Sequence, residues 1–390
     1  MAKISCHYFG LGIAAEGEEN FLERIADKML SHVNEDNMRM DEVEVMGSHN
    51  IPHPITETVH TPGADYDVVA IYDNAGIPSI MHRFRRVSNK DLFGGEDKPH
   101  PAFVIGGEVV DEIYISVYQN TMINGKPYSL PRMKPATDIT MEDFAQACFS
   151  KGEGWHCLTA AEWGLLANTS LKLGTLPHGN TNYGKWHGDE SEAGESASCG
   201  GMTLTGTGPA TWTHNHAATG VHDLCGNIWE FCRGMRIVNG ALQAAENNDA
   251  AMPETDLSEN GTDWKPIVDN EGKAIRVSVV NDKIRFTTEE EIGHDYTGNR
   301  WGEVAMECKS DELKALAFFA GEKDPYCFVD STEGEYILLR GGHWSLGSNA
   351  GLFGSDLDRP RSHASGGGLG GRSAFYKKHC TLIPDPLPAE

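Results

Sequence analysis

Residues 338–376 place the tightest limits on how this 390-residue chain can fold. Large apolar residues, among them Trp344, Phe353 and Phe375, recur between runs of Ser, His, Asn, Asp, Arg and Gly. A buried core strand would show apolar residues at every second position, and a linker would lack such large side chains. We therefore expect a rigid backbone whose buried anchors present small polar side chains to a partner.

Charge and composition exclude several classes of function. The formal net charge is −25, from 57 acidic and 32 basic residues, whereas nucleic acids and anionic membranes attract proteins through positive charge. We therefore expect no nucleic-acid partner. No apolar run is long enough to span a bilayer, and no apolar core with a small-residue cleavage site follows the first residues. We accordingly expect no membrane insertion and no signal peptide.

The nine cysteines are odd in number and follow no repeating spacing. This is typical of reduced thiols in a protein made in the cytosol, and not of a disulfide framework. Cys225 and Cys232, on either side of a predicted strand, are interpreted as buried free thiols. His156 and Cys157 are adjacent, so their side chains should point apart, and we do not interpret them as a catalytic pair.

Residues 1–95 are predicted to form a small N-terminal module of one helix and short strands. Apolar residues in 18–33 fall on one helical face, which predicts a helix packed on its own module or on a second copy. Two strands are predicted at 68–72 and 79–84, with a turn between them.

The middle of the chain predicts an α+β fold with much irregular structure. Strands are predicted at 102–105 and 113–118, and helices begin after Thr140 and Thr159, where Glu162 completes a capping box. Residues 236–329 are acidic and polar, and include a hairpin that turns at Asn281 and Asp282. We interpret 236–329 as an inserted β-rich subdomain.

Four blocks, in order, resemble those of the formylglycine-generating-enzyme superfamily. WHCLTAAEW at 155–163 is similar to its RLPTEAEWE block, and GVHDLCGNIWEF at 220–231 to its GLYDMxGNVWEW block. LRGGHW at 339–344 is similar to RGGSW, and GRSAF at 371–375 to the closing GFR segment. The resemblance implies a C-type-lectin-like domain, which we place at 96–235 and 330–380.

The chemistry of that family is not expected here. Its oxidases need a pair of cysteines shortly after the RGG block to bind copper, because soft thiolates suit Cu(I). Residues 328–379 contain no cysteine. We therefore predict that the chain is not an enzyme and requires no cofactor; an oxidase homologue with displaced catalytic residues is an alternative.

The segment that replaces the cysteines resembles the variable region of target proteins of diversity-generating retroelements, many of them phage receptor-binding proteins. In that family, adenine mutagenesis turns Asn-type codons into codons for Ser, Gly, Asp, His, Arg and Tyr. The resemblance implies a set of variable, ligand-binding positions: His343, Ser345, Leu346, Ser348, Asn349, Gly354, Ser355, Asp356, Asp358, Arg359, His363, Ala364, Ser365, Gly366 and Gly367.

A framework for this segment is also implied. Its buried anchors would be Trp344, Leu352, Phe353, Leu357 and Phe375. Arg340 and Arg372 would tie the loop to backbone carbonyls, while the variable side chains project into solvent.

The resemblance further implies a hypervariable display protein of a phage virion, on the tail or surface, made in the host cytoplasm. Its partner would be a protein or glycan receptor on a target cell, and a homo-oligomer would add avidity. None of the candidate display positions holds Trp, Tyr or Phe, so we expect a polar, weakly binding surface. A calcium-dependent carbohydrate-binding lectin is the other alternative.

Two interpretations of 220–231 stay open. In the resembling family this block binds a structural calcium ion through carboxylate and carbonyl oxygens, which are ligands that calcium accepts. The corresponding residues here are Asp223, Gly226, Ile228 and Glu230. Alternatively, residues of this block hold the loop by hydrogen bonds. His214, His216 and His222 show no zinc-type spacing and are expected to be solvated loop residues.

Overall fold

The computed structural model describes residues 68–197, 200–363 and 368–377 in full, and only the backbone of Asp67 and of three strands before it. The fold is a mixed α+β arrangement dominated by strands, with 16% helix and 35% strand. The strands, in chain order, are β1 Ala2–Tyr8, β2 Leu11–Gly17, β3 Glu57–His60, β4 Asp67–Tyr72, β5 Pro78–Arg85, β6 Val104–Ile105, β7 Glu108–Val109, β8 Glu112–Ser116, β9 Thr121–Ile123, β10 Lys126–Tyr128, β11 Trp155–Cys157, β12 Trp229–Val238, β13 Ala241–Ala245, β14 Trp264–Pro266, β15 Arg276–Val280, β16 Lys283–Thr287, β17 Tyr296–Arg300, β18 Ala305–Met306, β19 Tyr326–Asp330, β20 Glu335–Gly341, β21 Gly351–Arg359, β22 Leu369–Gly370 and β23 Ser373–Tyr376.

The helices are short. Among the described residues they are α1 Asn89–Phe93, α2 Met141–Phe149, α3 Ala160–Leu173 and α4 Asp311–Ala315. Both predicted starts are confirmed: Thr140 caps α2, and Thr159 with Glu162 forms a complete capping box on α3, which satisfies amides that have no partner within the helix. In this part of the chain no helix is both long and apolar enough to cross a bilayer.

One sheet has six strands in the order β11-β23-β8-β5-β4-β3. It corrects the predicted boundary at residue 95, because β4 and β5 pair into the same sheet as β8 and β23. Val69 and Met81 pack against Tyr114, Trp155 and Phe375 in one buried cluster. The predicted strands at 68–72 and 79–84 are present as β4 and β5. The predicted helix at 18–33 lies outside the described residues.

The larger sheet follows the order β17-β19-β21-β20-β12-β13-β15-β16-β18, with β14 on β13 and β22 on β12. Residues 236–329 are rich in strands, as predicted, but they do not form a separate subdomain. Their strands continue the sheet of β12, β20 and β21, and Phe286 and Trp301 share one core with Leu352 and Phe353. The prediction of a separate subdomain relied on the acidic composition of 236–329. That composition describes the exposed side chains of these strands, whereas the buried side chains that alternate with them join the common core.

The predicted hairpin is confirmed as β15 and β16. Val279 pairs with Ile284, and the turn residues Asn281 and Asp282 have φ values of 50° and 58°. Positive φ at both positions is the geometry of a two-residue turn matched to the twist of its strands. The hairpin buries Val277 and Phe286 on one face.

Candidate functional site

Arg340, at the end of β20, organises the backbone beneath the predicted variable region. Its fully buried guanidinium donates to the carbonyls of Leu316 at 2.6 Å, Ala317 at 3.0 Å and Phe353 at 3.3 Å. Burial lowers the pKa of Arg340 to about 10, so it remains charged at neutral pH. The prediction that Arg340 binds backbone carbonyls is confirmed, and α4 is joined to the start of β21.

Two buried indoles fix the same stretch of β21. Trp163 of α3 donates to the Leu352 carbonyl at 2.9 Å, and Trp301 donates to the Phe353 carbonyl at 2.7 Å. These bonds go to the backbone, so they do not depend on side chains at the variable positions. Of the predicted anchors, Leu352, Phe353, Leu357 and Phe375 are buried, whereas Trp344 is half-buried against Met202 and Ile228.

The loop 342–350 is held by its own backbone. The Trp344 amide donates to the Asn227 carbonyl at 3.3 Å, the Trp344 carbonyl accepts from Tyr183 at 2.8 Å, and the Gly347 amide donates to Thr181 at 2.9 Å. Gly342 enters the loop at φ +88°, where an added Cβ would lie 2.6 Å from that of Ala350, so this turn requires glycine. The loop side chains are therefore free to change without loss of these bonds.

The structure places part of the predicted variable set at the surface. Ser345 and Arg359 are exposed. His343, Leu346, Ser348, Asn349 and His363 are partly exposed. Ala364, Ser365, Gly366 and Gly367 lie outside the described residues.

Gly354, Ser355, Asp356 and Asp358 are buried, which contradicts the expectation that they project into solvent. They belong to β21, an interior strand between β19 and β20. Ser355 pairs with Cys327 on one side and Arg340 on the other and has no exposed surface. A Cβ at Gly354 would lie 2.9 Å from the Gly351 carbonyl oxygen. This strand was not predicted from the sequence, because its small polar residues do not show the alternating apolar pattern from which a strand is predicted.

Asp356 and Asp358 lie on the face of β21 opposite Ser355, since side chains alternate along a strand. Asp356 is the register partner of Phe328 in β19. The Asp358 amide donates to Asp356 Oδ1 at 2.9 Å, and Arg359 Nε lies 2.8 Å from Asp358 Oδ1. Burial, followed by a hydrogen bond with Asp358, raises the pKa of Asp356 well above its usual value. The two carboxylates therefore compete for limited neutralising charge.

Aromatic residues from outside the variable region surround this face. The Tyr326 and Phe328 rings are 5.3 Å apart. Burial, followed by the nearby Asp358 carboxylate, raises the pKa of Tyr296. Tyr296 is 52% exposed, and Tyr183, beside the 342–350 loop, is 66% exposed. Reasoning from sequence missed these residues. Burial alternates along Tyr326–Asp330, and the aromatic and β-branched residues Tyr326, Phe328 and Val329 are the sequence signal that predicts a strand there.

Several of the predicted calcium ligands accept hydrogen bonds within the protein. The oxygens that converge are the carbonyls of Asp223 and Ile228 and Oε1 of Glu230, and they converge on the amide nitrogen of Gln119, at 3.0, 3.3 and 3.1 Å. Both oxygens of Glu230 also accept from Arg372 at 2.6 Å. Two of the predicted ligand atoms, the Ile228 carbonyl oxygen and Glu230 Oε1, thus accept hydrogen bonds from nitrogen donors of this chain.

The Asp223 side chain makes a different contact. The Asp223 carboxylate accepts from the Gly206 amide at 2.8 Å, and burial raises the pKa of Asp223 to about 6. The Gly226 amide donates to Gly341. The described residues include no cluster of three or more His, Cys, Asp or Glu side chains placed to hold a metal. The alternative, in which the block holds its loop by hydrogen bonds, agrees with this geometry.

Arg372 confirms its predicted role as a tie to backbone carbonyls. Besides Glu230, it donates to Ser116 at 3.0 Å and to His222 at 3.0 Å. It is fully buried. Arg372 therefore connects β8, the 220–231 block and β23.

The expectation of solvated loop histidines is wrong for His214 and His222, which are 2% and 6% exposed. His214 Nδ1 accepts from the Val221 amide at 2.9 Å, and its ring meets that of His82. Burial lowers the pKa of His214 well below its usual value and that of His222 to about 4. Both are neutral core residues at neutral pH.

The thiols agree with the sequence interpretation. Cys225 and Cys232 are buried and free, and burial raises the pKa of both well above the usual value. His156 bonds to Glu162 at 2.8 Å and not to its neighbour Cys157. These thiols are protonated core residues, so they are poor nucleophiles.

No protein-family model matches this chain, and a comparison with curated proteins gives no match. The functional inference therefore rests on the geometry above and on the motif resemblance in the sequence.

Proposed function

We propose that this chain is a non-catalytic display protein that binds a protein or glycan receptor on a target cell. Its binding surface consists of the 342–350 loop and the face of β21 that carries Asp356 and Asp358, which lies beneath the partly exposed side chain of Arg359. The C-type-lectin-like fold, the hypervariability of the C-terminal region and a place on a phage virion belong to the same proposal, through the resemblance of 338–376 to variable regions of retroelement target proteins.

One observation carries this proposal: the loop backbone is held by groups outside the predicted variable set. Arg340, Trp163 and Trp301 bind carbonyls at or near the start of β21, and backbone bonds to Thr181, Tyr183 and Asn227 hold the loop. Surface side chains on such a scaffold can change at a cost of about ±0.5 kcal/mol each. That independence is what a diversified binding surface needs.

The alternatives have less support. A copper oxidase needs paired soft thiolates near the loop, and residues 328–379 contain no cysteine. A calcium lectin needs oxygen ligands that are free to meet the ion, whereas Glu230 is bound by Arg372 and Gln119.

Sequencing the locus across a population of the source tests the proposal. We expect substitutions to concentrate at the exposed or partly exposed loop positions His343, Ser345, Leu346, Ser348 and Asn349, and to trace to adenines in a nearby template copy. Ser355 should vary least, because it faces the core. Uniform low variation through 338–376 would overturn the proposal.

A further inference from the structure

Two carboxylates share one face of β21 with little solvent to neutralise them. Asp356 is 3% exposed and Asp358 is 9% exposed, and their positions two residues apart place them side by side along the strand. Like charges in such a position are unfavourable unless they share a proton or a cation lies between them. This face is therefore suited to accept positive charge.

Arg359 supplies that charge incompletely. Its Nε lies 2.8 Å from Asp358 Oδ1 and 3.5 Å from Asp356 Oδ2, so one nitrogen serves two carboxylates. Asp358 Oδ1, although buried, makes no hydrogen bond of normal geometry. The Arg359 side chain is 44% exposed. Arg372 differs from Arg359, because it is fully buried and donates two hydrogen bonds to a single carboxylate. A displaceable, weakly oriented guanidinium thus covers the acidic pair.

Aromatic rings beside the pair favour a cation as well. Phe328 is the register partner of Asp356, and Tyr296 lies near enough to Asp358 for the carboxylate to contribute, after burial, to a raised Tyr296 pKa. Tyr326 lies next to Phe328, and the guanidinium of Arg300 already lies 5.5 Å from the Tyr326 ring centroid. The faces of such rings attract cations, because the ring quadrupole is negative there. These aromatic residues lie outside the predicted variable set, so they would serve every variant.

Resting on the proposed function, we propose that Asp356 and Asp358, flanked by Tyr296 and Phe328, form a subsite for a Lys or Arg side chain of a polypeptide ligand. Arg359 occupies this subsite in the free protein, and the basic side chain of the ligand displaces it. The net charge of −25 favours the approach of such a ligand, because long-range attraction speeds the encounter of oppositely charged surfaces.

Selection from a random peptide library against the immobilised full chain tests this subsite. The variants are Asp356→Asn/Asp358→Asn, which removes two buried carboxylates, and Arg359→Gln, which removes the covering cation. The matched control is Glu108→Gln/Glu271→Gln, which removes two exposed negative charges elsewhere. Thermal melting confirms that each variant is folded, and hydrogen exchange locates each bound peptide.

We expect peptides enriched in Lys or Arg that protect residues 342–363 from exchange. The Asp356→Asn/Asp358→Asn variant should bind them roughly tenfold or more weakly, since truncating a buried charge pair has effects of this size. Arg359→Gln should bind them more tightly, and the control should match the wild type.

The opposite results separate the two proposals. Peptides that protect 342–363 but bind the Asp356→Asn/Asp358→Asn variant as well as the wild type would overturn the cation subsite and leave the display function standing. Peptides that protect only other regions, or no enrichment at all, would overturn the cation subsite, whereas the display function is overturned by uniform low variation through 338–376 in the population.

Discussion

Both carboxylate oxygens of Glu230 accept hydrogen bonds from the guanidinium of Arg372, 142 residues later in the chain. Nε and Nη2 each lie 2.6 Å from their oxygen, and neither side chain is more than 1% exposed. In this two-nitrogen geometry both hydrogen bonds are charge-assisted, which makes them stronger than bonds between neutral groups. It joins β12 of the larger sheet to the residue that precedes β23 of the smaller one.

Replacing Arg372 with Ala should destabilise the protein by about 3–5 kcal/mol, because it leaves the Glu230 carboxylate buried without its partner. Chemical denaturation measures the loss. Arg86→Ala is the control, since Arg86 forms an exposed pair with Asp111 and should cost less than about 1 kcal/mol. Equal losses in the two variants would show that Glu230 reaches water.

Calcium should not change the stability of the folded protein. Glu230, one of the groups that would bind it, already receives hydrogen bonds from Gln119 and Arg372. A ligand raises the melting temperature only if it binds the native state more tightly than the unfolded state. Melting curves in excess calcium and in excess EDTA should superimpose. A calcium-dependent rise would contradict the assignment of these oxygens to hydrogen bonds.

The stability of the protein should rise between pH 7 and pH 9 through Lys151. Its ammonium is fully buried, donates to Ser79 at 2.9 Å and lies 3.5 Å from the Trp155 ring centroid. Burial lowers the pKa of Lys151 from 10.5 to about 7. Below pH 7 both the folded and unfolded states hold the proton, so the cost of burying the charge is fully present.

Between pH 7 and 10.5 the unfolded state binds more protons than the folded state, and this cost is progressively relieved. The free energy of unfolding should gain up to about 1.4 kcal/mol per pH unit from this residue. Lys151→Met is the matched variant, and the difference between wild type and variant isolates the contribution. A difference that does not change with pH would mean that the ammonium keeps an ordinary pKa.

A tyrosine should be tolerated at Ser345 and not at Ser355. Ser345 is exposed in the loop, so Ser345→Tyr should change stability by no more than about 0.5 kcal/mol. Ser355 is fully buried between Cys327 and Arg340, so Ser355→Tyr should cost about 1–3 kcal/mol or more through overpacking. Urea denaturation of both variants measures the contrast. If the two proved equally stable, β21 would not be an interior strand.

Local features of the fold were predictable from local sequence. The capping box of Thr159 and Glu162 and the turn at Asn281 and Asp282 depend on neighbours within a few residues, and both are present as predicted. The mixed α+β class followed from the same signals. The C-type-lectin-like architecture stays a prediction.

Long-range pairing was not predictable in the same way. Nothing near Met81 indicates that β5 pairs with β8, or that β8 in turn pairs with β23. Likewise, the acidic stretch 236–329 contains no local sign that Phe328 would lie beside Asp356. Ser355, His214 and His222 are buried by residues distant in sequence that pack against them, so the polarity of these three residues does not predict their burial.

The position of β23 in the sheet means that folding of the sheet is completed only after the C-terminal strand has been synthesised. Ser373–Tyr376 lies between β11 and β8 in the six-stranded sheet, so a nascent chain cannot complete that sheet until residue 376 has left the ribosome. A premature stop codon or a frameshift within 343–363 would leave β11 without its neighbour and Glu230 without Arg372. Truncated translation products would then expose unpaired strand edges and become substrates for proteolysis. Only messages with an intact reading frame through this segment yield a folded surface.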